Sequence, residues 1–163
     1  MHIYIKNKLL TYSGYRIKCA IGKRGIAIKR KEGDLITPVG EFKIKSILYR
    51  KDRIKNLKTT LKTLPISKRM GWCDDSISKK YNCLIKYPFN FSSEKLYRKD
   101  NIYDIILVLN YNMNPIKKNK GSAIFLHVAS KNYKSTKGCL AVNKKELLKI
   151  IKDIKKNTKI KIV

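Results

Sequence analysis

The residues of this chain best suited to chemistry stand at the two ends of the stretch from His127 to Cys139, a histidine at one end and a glycine-preceded cysteine at the other. A cysteine thiol is mostly protonated at neutral pH. Nucleophilic catalysis by it therefore needs a base within hydrogen-bond reach, a nearby cation that favours thiolate, or both. The only other histidine, His2, lies at the N-terminus, so His127 is the base such chemistry would use. The apolar run Ala123-Ile124-Phe125-Leu126 before it reads as a buried strand that would hold the imidazole rigidly. Gly138 permits a sharp turn before Cys139 and is expected to offer its backbone amide to a developing oxyanion.

Spacing by itself leaves a structural reading open as well. A single cysteine is more often a small buried hydrophobe than a nucleophile, and a histidine at a strand end is more often a structural hydrogen-bonder. Cys19 lies inside the apolar segment from Ile17 to Ile21 and is expected to pack. Cys73 and Cys83 lack the paired spacing of a zinc site, so neither a metal nor a cofactor is expected.

Longer patterns separate these readings. Gly22-Lys23-Arg24-Gly25, followed by the stretch from Lys31 to Phe42 with its Thr37-Pro38-Val39-Gly40, resembles the N-terminal signature of the L,D-transpeptidase (YkuD-type) catalytic domain family. Gly71-Trp72-Cys73-Asp74-Asp75, Tyr81-Asn82, Ser93-Glu94, Tyr103-Asp104, Tyr111-Asn112 and the run from Gly121 to His127 resemble its compact branch, and Ser135-Thr136-Lys137-Gly138-Cys139 resembles its nucleophile motif.

The resemblance implies acyl transfer on peptidoglycan stem peptides. Cys139 would be the nucleophile, His127 the proton acceptor and donor, and Gly138 an oxyanion amide. The carbonyl of a diaminopimelate residue would be attacked, terminal D-alanine released, and the thioester resolved by an amine of a second stem. Ser135, Thr136, Lys137, Tyr81, Asn82 and Trp72 are the candidate substrate-binding residues, although a sole tryptophan is more often core. Tyr103-Asp104 is expected to be structural, and Gly121-Ser122 to shape the turn into the catalytic strand. Carbapenems are implied as acylating inhibitors. The alternative is a Cys/His hydrolase of cell-wall peptides (an L,D-carboxypeptidase or amidase), and a noncatalytic basic binding protein stands behind both. Lys137 and Ala141 occupy places where many members carry histidine and Asn or Arg. The lysine is therefore expected to favour thiolate at Cys139.

Composition sets outer bounds. With 163 residues, 43% of them hydrophobic, the chain is long enough for one real core, and a single domain over 1–163, acting as a monomer, is expected. The charge is +28, from 39 Lys and Arg against 11 Asp and Glu. Such a surplus raises the question of an anionic partner. The lysines are scattered through every segment, however, and no helix-turn-helix, RNA-binding or zinc-finger pattern accompanies them, so dedicated nucleic-acid binding is not expected. No signal-peptide core and no membrane-length apolar run is visible. The family's usual place of work, the bacterial envelope or periplasm, thus implies another export route, an upstream start, or a cytoplasmic role.

The elements that must position the site read mostly as strands. Residues 2–5 and 8–12 flank Lys6-Asn7 like a hairpin, and 16–21, 27–30 and 40–48 alternate apolar with basic residues. Residues 104–110 and 123–128 are apolar runs suited to central strands. Ile54, Leu57, Leu61 and Leu64 recur at helical spacing over 52–64. A second helix is capped by Asn143, with Glu146 completing a capping box and Leu147, Leu148, Ile151 and Ile154 as its buried face, before a last strand over 159–163. The expected fold is mostly β (α+β), β-sandwich-like, with two sheets face to face and one clear helix in the C-terminal region.

Overall fold

The computed structural model describes residues 2–163. Its first three strands, β1 (His2–Lys6), β2 (Leu9–Tyr12) and β3 (Tyr15–Lys18), form an antiparallel meander. The connections are two-residue turns, Asn7-Lys8 and Ser13-Gly14, in which all four residues have positive φ. That geometry matches the right-handed twist of the flanking strands. The first turn lies one residue later than the sequence suggests, since Asn7 enters the left-handed region at low cost.

The remaining strands are β4 (Ile26–Ala27), β5 (Thr37–Pro38), β6 (Gly40–Tyr49), β7 (Thr63–Pro65), β8 (Met70–Cys73), β9 (Leu84–Lys86), β10 (Ser93–Lys95), β11 (Ile105–Leu109), β12 (Phe125–Val128), β13 (Leu140–Val142) and β14 (Lys159–Ile162), with helix α1 (Lys144–Asp153) before the last. The main sheet runs β13-β12-β11-β6-β14-β1-β2-β3, with β7 also on β6. Strand β6 is the pivot. Its first four residues pair with β14 and the rest with β11. The two ends of the path then meet, because Ala20 and Ala141 exchange backbone hydrogen bonds of 2.7 and 2.9 Å. The face-to-face packing expected from the sequence is therefore made by two halves of one curled, hydrogen-bonded sheet.

Side chains from both halves, among them Ile3, Ile5, Leu10, Leu107, Leu126 and Leu140, share one core with the apolar face of α1. The opposite face of β11 and β12, carrying Ile106, Val108 and Phe125, is covered by Met70 and Trp72 of β8 and by Leu96. Both faces of β11 are thus buried, which explains its unbroken apolar sequence. The fold is mostly β with one short helix among the described residues, as the sequence indicates.

Two local expectations change. Residues 52–64 form turns and extended chain, not a helix, and end in β7, which pairs in parallel with β6. Leu57 and Leu61 pack against the core from that extended path, and the β-branched threonines 59, 60 and 63 favour it. Strand β4 stops at Ala27, short of the expected Arg30. Helix α1 begins as read: Asn143 Oδ1 accepts from the Lys145 amide at 2.9 Å. Glu146, however, turns outward to Lys149 in place of closing a capping box, and Ile150 takes the fully buried place expected of Leu148.

Candidate active site

Strands β12 and β13 run parallel, with Leu126 opposite Leu140 and His127 opposite Ala141. This register brings Cys139, just before β13, level with Phe125. The Phe125 amide donates to Cys139 Sγ at 3.4 Å, and the thiol donates to the Ala123 carbonyl at 3.0 Å. Alternation along β12 puts Phe125 and His127 on one face of the sheet. Cys139 and His127 both open onto one cleft of about 680 Å³, shared with Lys29, Glu94, Arg98, Tyr103 and Lys137. Folding of two neighbouring strands is thus enough to bring the two ends of the 127–139 stretch to the same surface.

The two groups rest in neutral forms. Burial pushes the Cys139 thiol up to about 12; Glu94 adds to the rise, and the Phe125 amide and Lys29 act against it. Burial also pushes the His127 imidazole down to about 4. Its Nδ1 lies 2.9 Å from the Val128 carbonyl, which can only accept, so Nδ1 carries the proton and Nε2 keeps its lone pair. The Tyr103 ring packs edge-on against the imidazole at 5.2 Å. Among the described residues no hydrogen bond joins Sγ to His127, because the thiol is held by Ala123. A neutral thiol and a neutral imidazole facing one cleft can exchange a proton when a substrate arrives, without carrying charge beforehand. Lys29 is a lysine whose field lowers the thiol. It is itself buried in an ion pair of 2.5 Å with Asp34. Burial alone would raise the Asp34 carboxyl, but Lys29 and the amides of Arg30, Ile36 and Lys31 bring it to about 2.

The loop before Cys139 is braced from both sides. Thr136 Oγ1 donates to the Cys139 carbonyl at 2.6 Å and accepts from the Gly138 amide at 3.1 Å. Thr37 Oγ1 donates to the Gly138 carbonyl at 2.9 Å and accepts from the Gly22 amide at 2.8 Å, which ties the 22–40 segment to the loop. Gly138 sits at φ 138°, and a Cβ there would come within 2.8 Å of the Ile36 carbonyl oxygen. Gly138→Ala is therefore expected to destabilise the fold by about 1–3 kcal/mol and to slow alkylation or acylation of Cys139. Chemical denaturation and thiol labelling rates check both; an unchanged midpoint would remove the steric argument.

Over residues 1–162 the sequence matches the YkuD family, the L,D-transpeptidase catalytic domain. The chain belongs to that family. No curated protein matches it closely. YkuD domains are cysteine-dependent transpeptidases that act on peptidoglycan peptides and are typically associated with the cell envelope. No helix among the described residues is long and apolar enough to cross a membrane.

Within this L,D-transpeptidase domain the candidate residues fall into two groups. Cys139, His127, Gly138 and Lys137 line the cleft. Trp72, Tyr81 and Asn82 do not. They are buried in a polar hub beneath it, where Asn82 Oδ1 accepts from Trp72 Nε1 and from the Ala123 amide, both at 3.0 Å, while Tyr81 Oη donates to Glu32 and accepts from the Gly121 amide. Trp72 packs edge-on against Phe125 at 5.2 Å, the core role open to a sole tryptophan. The hub fixes Ala123 at φ 51°, and so aims the carbonyl that receives the Cys139 thiol. Thr136 acts as the loop brace, and Ser135 is exposed outside the cleft lining. The Gly138 amide, expected to face the oxyanion, is committed to Thr136 Oγ1.

Sequence reading assigned no role to Lys29, Arg98 or Thr37, and gave Glu94 no task. Thr37 and Lys29 lie about a hundred residues from Cys139, and only the closure of the curled sheet makes them neighbours. Tyr103, expected to be structural, supports His127 and also opens onto the cleft.

Proposed function

We propose that this chain is a peptidoglycan L,D-transpeptidase whose nucleophile is Cys139 and whose acid–base group is His127. The observation that carries the reading is the placement of both on one face of adjacent parallel strands, with the imidazole Nε2 unprotonated and its other nitrogen fixed by Val128. The chain acts as one catalytic domain, and its substrates are stem peptides of the envelope polymer.

In the acylation half, the thiol leaves Ala123 O and gives its proton to His127 Nε2 while Sγ bonds to the donor carbonyl carbon. The tetrahedral oxyanion needs backbone amides near Cys139, and the Gly138 amide joins them on release from Thr136 Oγ1. One such donor is worth about 3–4 kcal/mol in acyl transfer, so the braced loop matters as much as the thiol. Collapse breaks the carbon–nitrogen bond to D-alanine, whose amine takes the proton from His127. In the second half an acceptor amine attacks the thioester, its proton passes through His127 to the departing sulfur, and the new amide cross-links two stems.

Incubation of the purified protein with defined muropeptides, read by mass spectrometry, tests the reading. Dimers together with released D-alanine are the expected products. Trimmed monomers without dimers would turn the assignment to an L,D-carboxypeptidase, and unchanged substrate would leave neither.

A further inference from the structure

The half of the curled sheet formed by β14, β1, β2 and β3 keeps one face open to solvent. Alternation sends Ile3, Ile5, Leu10 and Ile160 into the main core and their neighbours outward. Pairing register then groups the outward residues into rows. Arg16, Thr11, Tyr4, Lys161 and Glu41 form one row, running from β3 across to β6. Lys18, Leu9 and Lys6 form the row on one side of it, and Lys43, Lys159 and His2 the row on the other.

The charge on this face is one-sided. Glu41 is the sole carboxylate in the three rows, and Lys159 engages it at 2.6 Å. That hydrogen bond, with the fields of Lys159, His2 and Lys161, holds the Glu41 carboxyl below its usual range. Lys6, Arg16, Lys43 and Lys161 enter no ion pair among the described residues. Lys43 even stands directly opposite Lys159, an arrangement that costs stability in a sheet. A face that only had to stay solvated would gain from an acidic residue at one of these places. Self-repelling cations are relieved by an anionic partner.

Apolar groups sit among the cations. Tyr4 and Leu9, 46% and 37% exposed, line a groove of about 500 Å³ that Lys6, Thr11 and Arg16 also line. This mixture decides between anionic partners. A nucleic-acid strand uses successive aromatic platforms beside its phosphate contacts, whereas the groove offers one aromatic ring next to an aliphatic side chain that cannot stack. An anionic bilayer favours all three kinds of group. Lysine and arginine meet the lipid phosphates, tyrosine prefers the headgroup level, and leucine gains by entering the acyl boundary.

We propose that the outward face of β14, β1, β2 and β3 docks on an anionic lipid bilayer, with the groove of Tyr4 and Leu9 seated at headgroup level. The docked orientation follows from the fold. Tyr4 points away from the shared core on one half of the curled sheet, and Phe125 and His127 point away from it on the other. The cleft of Cys139 therefore opens away from the bilayer. Docking of this kind needs no membrane-spanning segment.

Co-sedimentation with vesicles of phosphatidylcholine, and of phosphatidylcholine mixed with phosphatidylglycerol, tests the face. The protein is expected to bind the mixed vesicles and to be released as salt rises. Replacing Lys6, Lys43 and Lys161 together by glutamine is expected to weaken binding on the order of 100-fold, and Tyr4→Ser with Leu9→Ser by about 10-fold. Replacing Lys79, Lys86 and Lys95 by glutamine removes the same charge from exposed positions on and beside the three-stranded sheet of β8, β9 and β10, and should leave binding nearly intact. Trp72, the sole tryptophan, reads the orientation, because it packs on Phe125 beneath the cleft. Brominated lipids should leave its emission unchanged and quench the emission added by Tyr4→Trp. Should a charge variant lose its fold, that quenching decides alone. Equal losses from the two lysine triples, binding that ignores phosphatidylglycerol, retention by duplex DNA without retention by mixed vesicles, or quenching of Trp72 in place of Tyr4→Trp each overturns the docking face.

Discussion

Cys139→Ser is expected to lose transpeptidation by a factor on the order of 10⁴ or more, while Cys19→Ser, Cys73→Ser and Cys83→Ser keep most of it. A serine hydroxyl in the same place can donate to Ala123 O and accept from the Phe125 amide, so the variant should fold. What it loses is nucleophilicity, because an alcohol is far less acidic and less polarisable than a thiol. The other three cysteines lack the setting. Cys19 is buried in the main core, and Cys73 is fully buried in β8. Neither these two nor Cys83 lines the cleft. A carbapenem adduct should map to the peptide that contains Cys139 and vanish in the Cys139 variant. Turnover that persists in Cys139→Ser, or an adduct on another cysteine, would remove the proposed nucleophile.

The parts of this fold legible in the sequence are those decided by local pattern. Alternation in β1, β2, β3 and β6, the apolar runs of β11 and β12, and the Asn143 cap all report on neighbours a few residues away, and all fall close to their expected positions. The helical spacing over 52–64 misled because apolar residues three or four apart also suit a chain that turns and wraps over a core. Edge pairing of β7 with β6 then settles the conformation, and that pairing is invisible in the segment itself. The curled sheet was likewise beyond reach. Two stacked sheets and one sheet whose ends meet need the same inward-facing residues, and what distinguishes them is the pairing of β6 with both β14 and β11 and the bridges Ala20–Ala141 and Gly22–Thr136 across the seam.

The candidate site divides the same way. His127 and Cys139 are marked by type and spacing, and two adjacent strands suffice to join them. The roles of Trp72, Tyr81 and Asn82 could not be told from motif matching. A residue that holds the loop and a residue that touches substrate leave the same trace in a sequence, and the structure puts these three in the hydrogen-bonded hub under Ala123. Lys137 also has a neighbour that sequence proximity does not point to: its field lowers the Glu94 carboxyl, while Lys29, distant in sequence, is a lysine whose field lowers the Cys139 thiol.

His127→Gln is expected to lower the rate by roughly 10²- to 10⁴-fold, the usual worth of a positioned proton-transfer group, and also to change how the protein responds to acid. With the imidazole held down to about 4 against 6.5 for the unperturbed group, the unfolded chain binds a proton in this interval that the folded chain refuses. Stability from this residue is therefore fully present above pH 6.5 and lost as pH falls towards 4, by about 3 kcal/mol at the low end. Glutamine has no such proton, so the variant should show a shallower fall in its denaturation midpoint between pH 6.5 and 4. The same neutral dyad fixes the activity profile. Acylation of the wild-type thiol by a neutral penem should hold a plateau through neutral pH, with its acid limb well below 6.5, because a neutral imidazole is the working base and the thiol stays protonated until attack. An acid limb at 6.5 with an alkaline limb near 8.5 would mean that both groups titrate as if in water, and a variant with unchanged rate would mean that another group takes the thiol proton.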